Sequence, residues 1–418
     1  MVDKGGSHCC GEREAVSKLY GSTTTPLFSN CHPIPSLTMS KPSRYIANTV
    51  PPAALNGLDA RDQLVKSLTS IVLGCAPKKP WTDPFKDKPV GLWTGPTSIA
   101  YLFLWLSQTH PELVVEGKTP TEWCNAYLDC GQSDIPDASG LNGWGVKNEY
   151  LAFNTVMACV TKDMKYVSKL EEAVSTGFDC PPLDNEHLAG RAGTLSLLRI
   201  VRHWVPESAA AMNRCMEPLI DYLLGCMPWR FHGHNYIGAA HGVIGIVTQI
   251  ILCDPKRAPV LEAQLSELLD LQTEDGHWFI TDDPNLGEPD LVHYCHGAPG
   301  FVMSLMKLRP YVSAEMQSRF DVAIERGRRN VWEMGVLTKE PNLCHGIPGN
   351  MLAFEDWDQR RHFMAFATME AIQAGKKDGT FIPGDDPWGL LWGEGGRAWG
   401  WMVLDSGVDL GYPSYTDI

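Results

Sequence analysis

One phrase occurs twice in this chain, about 49 residues apart: Cys295-His296-Gly297-Ala298-Pro299-Gly300 and Cys344-His345-Gly346-Ile347-Pro348-Gly349. A repeated phrase implies a repeated structural unit, and neighbouring units must stack on each other to bury their apolar faces. Fainter copies extend the pattern in both directions. They are Thr94-Gly95-Pro96-Thr97-Ser98, Trp144-Gly145-Val146-Lys147-Asn148, Ala189-Gly190-Arg191-Ala192-Gly193, His241-Gly242-Val243-Ile244-Gly245 and Trp392-Gly393-Glu394-Gly395-Gly396. Seven units result, roughly 45–55 residues each, enough for two helices and their loops. The second unit is weak and is recognised only through its neighbours.

The segments after the glycines (Ser98–Leu106, Thr194–Val201, Ile246–Leu252, Phe301–Leu308) are apolar on most sides, the mark of buried helices. Those between them are amphipathic. Over Val260–Leu271, Leu261, Leu265, Leu268 and Leu269 form one stripe against Glu262, Gln264, Glu267 and Asp270. Strand-like alternation is scarce. The expected fold is all-α: an (α/α)7 toroid, a double ring of seven inner and seven outer helices. Glycine at each inner start allows a sharp turn and close approach of neighbouring helix ends. Those starts converge on one mouth, where partial positive charge and free N–H groups suit an anion or thiolate.

Composition sets the wider limits. The formal net charge of -14 disfavours nucleic acid as a partner. Thirteen cysteines without regular close pairing, and a start lacking an apolar signal core, predict a cytoplasmic protein with mostly reduced thiols. The apolar runs are too short to span a bilayer, which leaves only peripheral membrane contact. Residues 1–40, rich in Gly, Ser, Thr and Pro, are expected to be a flexible tail before one domain at 41–418, with a first helix near Gly57–Gly74.

Cys295, Cys344 and His345 are the proposed metal ligands. The two cysteines hold equivalent places in adjacent units, so both can face one point. Cys344 and His345 can bind together only if the backbone there is not yet helical. Thiolate and imidazole together point to Zn2+, and three protein ligands leave tetrahedral zinc an open position for an incoming thiol. His296 follows Cys295 as His345 follows Cys344, so symmetry alone does not choose between the histidines. A closed four-ligand site would make the zinc structural. His241 occupies the same register and is the candidate proton-transfer group. Glu186 is placed to orient His241 or pair with Arg191, with Asp184 as a competitor. Tyr294 either packs beside the metal or donates a hydrogen bond. Trp388, Trp392, Trp399 and Trp401 are expected to fill helix packing in the last unit, with an aromatic substrate wall as the lesser reading.

Taken together, Gly238-Ala239-Ala240-His241-Gly242, Leu291–Gly300 and Leu343–Asn350 resemble the lanthionine synthetase C-like family, particularly its eukaryotic members, over roughly residues 41–418. The resemblance implies a double ring of seven and seven helices, zinc on Cys295, Cys344 and His345, and catalysis by His241. It implies Glu186 as the acidic partner, with Tyr294 where tryptophan is usual. The implied activity is zinc-dependent addition of a thiol, with glutathione as the expected donor, to dehydroalanine or dehydrobutyrine in a peptide or protein, giving a thioether. The alternatives are a non-catalytic glutathione- or peptide-binding scaffold in signalling, and a toroid acting on carbohydrate or prenyl substrates. Arg44 and Lys339 match two basic contacts to glutathione. The third, an arginine expected near residue 382, is replaced by Ile382.

Overall fold

The computed structural model describes residues 43–49, 57–78, 91–130, 144–177, 184–283, 291–384 and 386–418. The expected tail at 1–40 lies outside them. The chain divides into Met1–Ser43 and Arg44–Ile418, and the second unit carries everything below.

Fifteen α-helices appear among the described residues. The first eight are α1 (Ala60–Gly74), α2 (Pro96–Thr109), α3 (Pro120–Leu128), α4 (Glu149–Thr161), α5 (Met164–Gly177), α6 (Arg191–Trp204), α7 (Ala209–Gly225) and α8 (Val243–Cys253). Then come α9 (Ala258–Asp270), α10 (Ala298–Leu308), α11 (Ala314–Met334), α12 (Ile347–Met351), α13 (Trp357–Ala365), α14 (Met369–Asp378) and α15 (Glu394–Ser406). Among the described residues, β-pairing is confined to isolated bridges.

The inner ring is α2, α4, α6, α8, α10, α12 and α15. The outer ring is α1, α3, α5, α7, α9, α11 and the α13–α14 pair. Ring closure joins the two ends of the unit: α15 packs on α2, and α1 is the outer partner of α15. The sixth inner helix is shorter than its equivalents. After Met351 the chain tightens into i→i−3 bonds (Ala353 N to Asn350 O, 3.1 Å; Phe354 N to Met351 O, 3.2 Å), and Asp356 then caps α13. The outer layer there is split between α13 and α14.

Inner and outer helices start differently. Asp59, Thr119, Ser313, Asp356 and Thr368 cap outer helices with side-chain oxygens. Six inner helices start at glycine with no side-chain cap; α4 starts at Asn148 instead, so its unit reads faintly in sequence. The expectation of free N–H groups needs correcting at three of these starts. In α6 the amides of Arg191 and Ala192 donate to the carbonyls of Asp184 and Asn185, seven residues upstream. In α8 Val243 and Ile244 donate likewise to Tyr236 and Ile237, and in α15 Glu394 and Gly395 to Pro387 and Trp388. At these three starts the turn folds back over its own helix and uses those donors.

Glycine is also needed where the turns before α10 and α12 press on their own helices. A Cβ on Gly349 would lie 1.8 Å from the Leu343 carbonyl oxygen, and one on Gly300 would lie 2.2 Å from that of Tyr294.

The turns are also joined to each other. Leu92 N donates to Val146 O (2.8 Å), Val146 to His187 (3.5 Å), His187 to Ala240 (3.1 Å), Ala240 to Cys295 (3.3 Å), Cys295 to Cys344 (3.4 Å), Cys344 to Leu391 (2.9 Å) and Leu391 to Trp93 (3.2 Å). This closed circle of seven bonds runs through all seven units. It satisfies backbone groups that burial would otherwise strand, and it fixes the order of side chains around the mouth.

The bore is filled from within. The segment Leu410–Ile418 is almost wholly buried. Arg199 of α6 donates to the carbonyls of Tyr415 (2.7 Å) and Ile418 (2.6 Å), Tyr101 of α2 donates to Asp417 (2.6 Å), and Ser304 of α10 pairs with the Tyr415 hydroxyl (2.6 Å). Three inner helices are thereby tied to one strap of chain.

Candidate metal and thiol site

Cys295 and Cys344 follow each other in the circle, so their side chains leave adjacent strands of backbone. Gly346 is extended and α12 begins only at Ile347, so Cys344 and His345 precede the helix and both can turn to one point. Asn342 Oδ1 accepts from the His345 N–H at 3.0 Å and holds the turn. One ligand atom from each of Cys295, Cys344 and His345 comes within 4.8 Å of the other two, and all three residues are buried. Two thiols and an imidazole at that separation fit a tetrahedral soft-ligand metal site.

His296 is not in that group. Its ring lies 5.9 Å from His241 and 6.0 Å from Tyr236. Burial first, and then His241 and His345, push its pKa down to about 3, so it is neutral at pH 7.

His241 is the next position along the circle. Its Nδ1 lies 3.0 Å from a Glu186 carboxylate oxygen, with both side chains buried. The same carboxylate accepts the Leu188 N–H (2.7 Å) and the Ala189 N–H, so three groups fix its orientation. Arg191 instead donates to Asn185 (3.1 Å), which decides the partner of Glu186 in favour of His241. Phe231 stacks on the His241 ring at 4.4 Å, with planes 11° apart. The imidazole is thus held on its edge and on one face, and the Nδ1 bond to carboxylate leaves Nε2 as the basic nitrogen of the neutral ring.

Tyr294 is fully buried and stacks on Tyr412 at 3.6 Å. Burial drives its pKa well above the usual tyrosine range, with Tyr415 and the two cysteines adding to it. Its hydroxyl is buried with no hydrogen-bond partner among the described residues, so it packs beside the cysteines and does not donate to them.

Arg44 and Lys339 come from neighbouring extended segments. The Arg44 carbonyl accepts from Thr338 N (2.9 Å), Tyr45 bridges Leu337, and Lys339 bridges Ile382. The residue standing where an arginine was expected is therefore paired with Lys339, and its side chain is half exposed. Both cations act on His293, whose pKa is driven well down by burial first and then by His345, His296, Lys339 and Arg44. The two basic residues accordingly lie on the His345 side of the mouth.

One neighbour was missed in the sequence and one was given the wrong emphasis. Phe231 lies in a loop with no periodic signal to mark it. Trp392, assigned there to packing, lies 6.4 Å from His345 and edge-on to Trp93 at 4.9 Å. Its register, directly before Gly393 as His345 is before Gly346, was the available signal. Trp399 and Trp401 are buried packing, as expected. The nine described cysteines are all free of disulfides.

Residues 86–362, well over half the chain, match the family model described as lanthionine synthetase C-like protein. This chain belongs to the lanthionine synthetase C-like family. Among curated LanC-like relatives, the Arabidopsis thaliana "LanC-like protein GCL1" is 28% identical over 259 residues, covering 54% of this chain and 57% of that one. The Danio rerio "Glutathione S-transferase LANCL1" is 26% identical over 133 residues, covering 30% and 31%. The chain thus matches little more than half the length of the first and about a third of the second. Among solved structures, "Nisin cyclase" superposes with a TM-score of 0.57 at 14% identity, over 85% of this chain and 96% of that one. That likeness establishes the LanC-like toroid. Among the described residues no helix is long and apolar enough to cross a membrane.

Proposed function

We propose that this LanC-like protein is a zinc-dependent enzyme that adds a thiol to dehydroalanine or dehydrobutyrine residues in peptides or proteins, forming a thioether. One observation carries it. A buried group of two cysteines and a histidine, its ligand atoms within 4.8 Å, adjoins an imidazole that a buried carboxylate holds in one orientation.

Cys295, Cys344 and His345 would hold the metal. When bound, zinc lowers the pKa of a thiol in its remaining position and so supplies a thiolate near neutral pH. The chain's own groups do the rest. Glu186 keeps a proton on Nδ1 of His241, so Nε2 is the nitrogen that takes up and returns a proton. The donor sulfur bonds to the β-carbon, the C=C electron pair moves to the α-carbon, and a proton from Nε2 of His241 completes the C–H bond. The proton lost by the thiol balances the one delivered. Tyr294 and its stack exclude water behind the cysteines, and Phe231 and Trp392 wall the sides.

Arg44 and Lys339 support a donor bearing carboxylates, and the name of the Danio rerio relative supports glutathione. Ile382 argues for weaker hold on that tripeptide than three basic contacts would give. The test is to incubate zinc-loaded protein with glutathione and a dehydrobutyrine peptide and to seek the adduct by mass spectrometry, with Cys344→Ala as control. Zinc and thiol binding without any thioether product would replace the enzyme with a binding scaffold.

A further inference from the structure

The circle of backbone bonds places one further side chain at the mouth. Lys147 directly follows Val146 in the second unit, the register that His241, His296, His345 and Trp392 occupy in theirs. In ring order the second unit lies three steps from the Cys295 turn in one direction and three from the Cys344 turn in the other. It therefore stands opposite the cysteine pocket. The Lys147 ammonium lies 5.6 Å over the Trp93 ring, Trp93 meets Trp392 at 4.9 Å, and Trp392 meets His345 at 6.4 Å. A continuous run of buried aromatic rings leads from His345 to this cation.

Lys147 is half-buried and has no carboxylate partner among the described residues, in a chain with a net charge of -14. The nearest acid in sequence, Glu149, is committed elsewhere. One carboxylate oxygen accepts from Thr97 Oγ1 (2.5 Å) and the other from the Gly91 N–H (2.9 Å). The ammonium thus has an aromatic face behind it and no competing acid among the described residues, so an incoming carboxylate can pair with it.

We propose that Lys147, backed by Trp93, selects acceptor peptides carrying an acidic side chain close to the dehydro residue. The inference rests on the thiol-addition reading above. An acceptor whose β-carbon sits between the cysteine pocket and His241 has the second unit directly across the mouth, within reach of its flanking residues. The donor's carboxylates are accounted for on the other side by Arg44 and Lys339. The ligand class at Lys147 is therefore an acceptor carboxylate, held by one charge-assisted contact.

The test uses matched peptides that differ only in Glu or Gln at each of three positions on either side of the dehydrobutyrine. kcat/KM is measured for the wild type, Lys147→Gln and Lys147→Glu. The wild type should favour a Glu peptide by about fivefold at one or more positions, K147Q should abolish the preference and K147E should reverse it. Lys118→Gln, which removes an outer-ring lysine lying 4.6 Å over Trp123, should keep the wild-type preference. A preference that is absent in the wild type, or unchanged in K147Q, overturns the proposal. So does a K147Q variant that changes only the KM for glutathione. Fluorescence anisotropy with the same peptides carrying alanine in place of dehydrobutyrine reads binding without turnover. A Lys147-dependent preference there with no thioether formed in any arm would sink the enzymatic reading and keep this contact; equal binding of Glu and Gln peptides would sink the contact.

Discussion

Replacing Gly349 by alanine should weaken metal binding at the candidate site, although the glycine is not one of its proposed ligands. A methyl group there would lie 1.8 Å from the Leu343 carbonyl oxygen, whereas real Cβ contacts stay beyond 3.0 Å, so a gap of about 1.2 Å must open. The obstacle is backbone and cannot rotate away. Leu343 leads directly into Cys344, whose N–H and C=O are both bonds of the circle, to Leu391 and from Cys295. Metal–ligand distances tolerate only about 0.2 Å. The required displacement is several times larger, so zinc affinity should fall by roughly 100-fold and stability by about 1–3 kcal/mol. Gly300→Ala, blocked at 2.2 Å, demands about 0.8 Å and should be milder. Gly225→Ala, at the end of α7 with nothing within 4 Å, is the control and should be neutral or stabilising by up to about 1 kcal/mol. Zinc remaining after a timed chelator challenge, measured by atomic emission, reads the site. Urea midpoints of the metal-free proteins read the fold. A Gly349→Ala protein that holds zinc as tightly as the wild type would refute the reasoning.

Three further outcomes are expected. Glu186→Gln should lower kcat roughly 10- to 100-fold while leaving zinc content intact, because it loosens the imidazole without touching a ligand; unchanged steady-state kinetics would remove Glu186 from the mechanism. Ile382→Arg should restore the third basic contact and lower the KM for glutathione by about two- to tenfold, and calorimetric titration with glutathione checks the same direction. Burial pushes the Glu149 pKa up to about 8, above its ordinary value near 4.5. The folded state then holds a proton that the unfolded chain has released, so the wild type loses stability as pH rises from about 4.5 to about 8. Glu149→Gln lacks that loss, and its urea midpoint relative to wild type should climb across the same window; a constant difference would contradict it.

The sequence showed the parts that recur and hid those that occur once. The spacing from His241 to Cys295 to Cys344 could be read because each glycine turn must clear the same carbonyl, which keeps the phrase alike from unit to unit. Asn148 replaces glycine with a side-chain cap, and its unit accordingly reads faintly. The segment Leu410–Ile418 carries no periodicity, because its contacts to Arg199, Tyr101 and Ser304 are made one residue at a time with distant helices. The choice between His345 and His296 depended on where two adjacent turns point their side chains, which spacing cannot express. The donors at the starts of α6, α8 and α15 look free in one dimension and are taken in three, because the chain doubles back there over seven residues.

The circle of turns sets an order of assembly. Its bonds from Cys344 to Leu391 and from Leu391 to Trp93 join the last unit to both the sixth and the first. A nascent chain that has already emitted both cysteines still lacks the neighbour that braces the second one. On the zinc reading proposed above, tight capture would wait for the seventh turn to dock, and a ribosome stalled before residue 390 would display a ligand set that a mild chelator can strip.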